Sequence, residues 1–94
     1  MRDITTYDRC TGTDRQILRA KVESSGDLVL EGHDLGELPQ QIWGDSDYEY
    51  SRTVRASDVP AVLLHLVAER VQSDTDFKTW LDGKGIASTF NYWI

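Results

Sequence analysis

The stretch DYEYSRTVRASDVPAVLLHLVAERV, residues 47–71, changes its period halfway along. Over 47–56 it repeats every two residues, with Tyr48, Tyr50 and Val54 on one side and Asp47, Glu49, Ser51, Thr53 and Arg55 on the other. That is the pattern of a half-buried β-strand, because successive side chains of a pleated chain point to opposite faces. Beyond Ser57 the apolar residues recur at helical spacing, at Val59, Val62, Leu63, Leu66 and Val67, with Arg70 in the same series. Ser57 predicts an N-cap, Asp58 meets the positive end of the helix dipole, and Pro60 is tolerated that early. A strand that hands over directly to a helix places the chain in a mixed class.

Toward the N-terminus, QILRAKVE (16–23) alternates, with Leu18, Ala20 and Val22 on one face. SSGD (24–27) is a turn, and DLVLEG (27–32) alternates again through Leu28 and Leu30, so 16–32 predicts a β-hairpin. Residues 1–14 are polar and aperiodic and predict a flexible arm. In DLGELPQQIWGD (34–45), Gly36, Pro39 and Gly44 mark turns, while LPQQIW (38–43) predicts one helical turn setting Leu38, Ile42 and Trp43 on the sheet. Toward the C-terminus, SDTD (73–76) offers a second N-cap, Phe77, Trp80 and Leu81 form an apolar stripe, and Gly83 or Gly85 stops the helix. IASTFNYWI (86–94) is rich in β-branched and aromatic residues and predicts a returning strand. The expected fold is α+β: about four strands in a mostly antiparallel sheet, with two helices packed on one face, in the order β-β-β-α-α-β. One domain is expected over 1–94.

Composition narrows the function classes. The 94 residues are 39% hydrophobic and 28% charged, which suits a folded chain rather than a disordered one. A lone cysteine, Cys10, forms no intrachain disulfide and points to a reducing compartment. MRDITTYDRC lacks the apolar core of a signal peptide, and no apolar run reaches the roughly 18–20 residues of a membrane span. A cytoplasmic protein without membrane association is expected. Net charge is −6, and residues 27–49 hold seven of the sixteen acids and none of the ten Lys and Arg. Such asymmetry bears on partners rather than on fold.

Several chemistries are disfavoured by spacing. Asp45, Asp47 and Glu49 occupy positions 1, 3 and 5 of a would-be calcium loop, but positions 6 and 12 are Tyr50 and Ala56 instead of glycine and a carboxylate. His33 and His65 stand in no recognised metal-ligand spacing. Cys10 falls in the expected flexible arm with no flanking Gly or His motif, whereas a reactive thiol needs a structured, positive setting, and there is no GxSxG or phosphate-cradling loop. No enzyme activity and no cofactor are expected. The second helix sets Asp74, Asp76 and Asp82 against Lys78 and Lys84, which would repel phosphates, so direct nucleic-acid binding is not expected.

The acidic segment remains as a surface for a basic protein partner. Glu31, Asp34, Glu37, Asp45, Asp47 and Glu49 are the candidate charges and Trp43 the candidate anchor, since aromatics bury area with few rotors. The competing reading makes the acids a solvated face and assigns Tyr48 and Tyr50 to the core.

LVLEGHDLG, followed by WGDSDYEYSRTVRASDVPAVLLHL, resembles a group of small acidic bacterial proteins. Their pattern is a strand ending in EGxDLG, a loop, GDxxYEY, a TV strand and a helix opened by DxP, matched here over about 28–82. The resemblance implies a compact fold and carries over no functional residue. By type, such proteins are similar to immunity proteins, which implies an inhibitor occluding a basic surface, for example on a nuclease toxin. The alternatives are a phage-encoded DNA mimic blocking a host defence complex, of anti-CRISPR or anti-restriction type, and a housekeeping domain with a solvated acidic face.

Overall fold

A computed structural model describes residues 3–37, 41–42, 44 and 47–93. The chain divides into two compact units, Met1–Pro60 and Ala61–Ile94. The first holds a four-stranded antiparallel sheet of strands β1 (Asp3–Thr11), β2 (Asp14–Val22), β3 (Leu28–Leu35) and β4 (Asp47–Val54), lying side by side in chain order. A 3-10 turn (Ala56–Asp58) leads into helix α1 (Val59–Arg70), and α2 (Asp74–Gly83) follows. The class is α+β, as the change of period predicts, but the order is β-β-β-β-α-α.

Two segments account for the difference in order. Residues 3–11, read as an arm, form strand β1. Its side chains do not alternate between polar and apolar, because an edge strand is held by its backbone ladder to a single neighbour and need not bury one face. β1 and β2 are joined by the two-residue loop Gly12–Thr13, and Gly12 sits at φ 62°, where only glycine is comfortable. A bulge between Thr5 and Tyr7 shifts the register within β1. At the other end, residues 87–93 form no strand. Strand propensity alone is not enough, since a β-strand needs a ladder partner.

The helices begin and end by different devices. Ser57 does not cap α1: it lies inside the 3-10 turn, whose cap position is Arg55. The side chain of Asp27 instead accepts a hydrogen bond from the backbone N–H of Ala56 at 2.8 Å, tying the β2–β3 turn to the end of β4. Ser73 does cap α2, its Oγ accepting from the Asp76 N–H at 3.0 Å. α2 ends in a Schellman arrangement: the Gly85 N–H donates to the Asp82 carbonyl and the Ile86 N–H to the Leu81 carbonyl. The helical turn expected over 38–43 lies mostly outside the described residues, although Gln41 and Ile42 are helical.

The ladders fix what each face carries. Leu18 pairs with Gly32 and Gly32 with Tyr50, while Ala20 pairs with Leu30 and Leu28 with Val54. One face therefore collects the apolar row predicted by the alternation. The opposite face carries Arg19, Lys21, Glu31, His33, Asp47 and Glu49, together with Val29, which is buried at 7% exposure. Tyr50 closes over Gly32 on the apolar face, so closely that the tyrosine ring occupies the place of a Cβ on Gly32.

Candidate functional site

The site lies on the charged face of β3 and β4. Antiparallel pairing sets His33 directly opposite Glu49, Glu31 opposite Ser51 and Leu35 opposite Asp47. Period two along β4 turns Asp47 and Glu49 the same way, and period two along β3 does so for Glu31 and His33. Opposite residues in such a ladder have Cα atoms only about 4.5–5.5 Å apart, so four groups far apart in sequence become neighbours. The His33 imidazole meets the Asp47 carboxylate directly through Nε2 and Oδ1, and Glu49 Oε1 lies 3.6 Å from the same nitrogen. An open concavity of about 490 Å³ adjoins them, lined by Ile17, Arg19, Glu31, His33, Glu49 and Ser51 among others.

Ion pairs structure the rest of this face. Lys21 Nζ reaches Glu31 at 2.6 Å and Glu23 at 3.5 Å, and the hydrogen bond it donates to Glu31 holds the lysine above its ordinary pKa. Arg15 grips Asp8 with two nitrogens, at 3.0 and 2.7 Å, which holds the Asp8 carboxyl below the usual carboxylate range. On the apolar face, Tyr48 and Tyr50 lie with ring centroids 5.7 Å apart. Partial burial, and then a hydrogen bond with Tyr7, push the Tyr50 hydroxyl up.

The acids singled out in the sequence do not all meet. Glu31, Asp47 and Glu49 share one face, with side chains 49, 55 and 75% exposed. Asp34 pairs with Tyr48 and belongs to the opposite, apolar face, because it is an odd number of residues from Glu31. Glu37 is exposed beyond the end of β3. Trp43 and Asp45 lie outside the described residues. The residues missed from the sequence are His33, which joins Asp47 and Glu49, and Lys21, which neutralises Glu31. Residues 14 and 16 positions apart form no linear motif. The signal available was the pairing of two predicted strands, but its register depends on the connection between them.

No family model matches the chain, and no curated protein or solved structure matches it. Among the described residues, no helix is long and apolar enough to cross a membrane.

Proposed function

We propose that this chain is a protein-binding module that covers a basic surface on a protein partner, in the manner of an immunity protein set against a nuclease toxin. The observation that carries the reading is the convergence of Glu31, Asp47 and Glu49 on one face of adjacent strands, each about half exposed or more, beside an open concavity. Carboxylates held in a ladder keep a fixed spacing, so a partner's Lys and Arg meet a preset pattern rather than a mobile loop. Lys21 offsets Glu31 within the chain, which supports Asp47 and Glu49, on the β4 side, as the working charges. Trp43, which the sequence sets between β3 and β4, supplies the aromatic anchor. Action is by occlusion, with no bond made or broken. Location in the cytoplasm, where such a partner would be met before release, belongs to the same proposal.

The test uses the tagged full chain to capture a partner, followed by association kinetics. Replacing Asp47 and Glu49 together by lysine is expected to slow association by about tenfold or more at low salt. Raising the salt from about 0.05 to 0.5 M is expected to slow the parent chain similarly, as the screening length shrinks. Association that ignores both changes would reject the electrostatic reading.

A further inference from the structure

We propose that His33, Asp47 and Glu49 form a binding site for a divalent first-row metal ion, Zn²⁺ being the best fit. Their donor atoms, one nitrogen and two carboxylate oxygens, lie within 4.8 Å of one another. Ligands about 2.1 Å from a tetrahedral ion stand about 3.4 Å apart, so His33 and Asp47, which touch directly here, must part to admit a cation between them. Glu49 Oε1 already lies 3.6 Å from His33 Nε2. The three come from two paired strands, so the backbone ladder rather than a loop sets their spacing.

The donor set selects the ion. Calcium and magnesium take shells of oxygen, which an imidazole breaks. One imidazole with two carboxylates suits zinc and its first-row neighbours, and zinc, with no d-electron preference, accepts three protein ligands and an open fourth position. Three protein ligands leave a fourth position, and the neighbouring concavity leaves room for water or an incoming carboxylate or imidazole there. A bound dication would also cancel the charge of the two carboxylates. The site does not rest on the proposed partner binding, and metal and basic partner would compete for the same two carboxylates.

Isothermal titration of the full chain with ZnCl₂ near neutral pH is expected to show one equivalent bound. Co²⁺ titration should give the visible absorption of a low-coordinate site. His33→Gln and Glu49→Gln are each expected to weaken Zn²⁺ by at least about tenfold. His65→Gln and Cys10→Ser remove the other imidazole and the thiol and should leave the affinity unchanged. All four positions are solvent-accessible, and amide spectra matching the parent's confirm that a variant is folded. Absence of binding up to about 1 mM Zn²⁺ overturns the site. So does binding that survives His33→Gln, or binding that disappears with Cys10→Ser.

Discussion

Gly32 shows how much one hydrogen atom can decide. The Tyr50 ring lies where a Cβ would stand, so Gly32→Ala must displace the ring or open the β3–β4 ladder. Urea unfolding is expected to show a loss of about 1–3 kcal/mol, the usual cost of forcing a methyl into an occupied space. Tyr50→Ala in the same background should remove most of that penalty, since the two changes touch one contact. The sequence displays the glycine within a strand pattern, but not the ring that covers it. Asp8 makes a different point. Its carboxyl titrates lower in the folded chain because of Arg15, so the pair adds stability above the unfolded value of about 3.9, and that stability is lost as pH falls through the lower, folded one. Asp8→Asn is expected to melt a few degrees at most below the parent at neutral pH, because the pair is exposed and solvent screens it. The gap should begin to narrow below about pH 4 and close below the lower, folded value, which parallel thermal melts would read.

At the scale of elements, alternation and helical spacing located β2, β3, β4, α1 and α2, because each carries an apolar series at the period of its own backbone. β1 left no such trace. It is held through backbone groups that every residue possesses, and its legible sign was the glycine of a two-residue loop. The 86–94 segment errs in the opposite direction: it has strand-forming residues, yet 86–93 form no strand. Hydrogen exchange followed by NMR is expected to show strong protection at the β1 amides that face β2 and far weaker protection over 87–93. The cap of α2 was legible because it is local: Ser73 and Asp76 are three residues apart. Ser73→Ala is expected to cost about 0.5–2 kcal/mol, whereas Ser57→Ala should cost well under that, since Ser57 caps nothing. Paired denaturation curves of the two variants would separate them.

For the whole molecule, charge is the property that composition fixes outright. With a net −6 and an isoelectric point near 4.7, the chain should be least soluble near pH 4.7 and more soluble on either side, as turbidity against pH would show. How that charge is distributed could not be read from the chain. Seven acids within 27–49 suggest one patch, yet the ladder sends Glu31, Asp47 and Glu49 to one face and Asp34 to the other. The sequence by itself determined the class, most of the elements and the total charge, because these follow from local periodicity, capping chemistry and counting. The tertiary structure alone decided that β1 joins the sheet, that Lys21 neutralises Glu31, and that His33 stands beside Asp47 and Glu49. Each of these depends on strand register, and a slip of one residue would send every side chain of a strand to the other face.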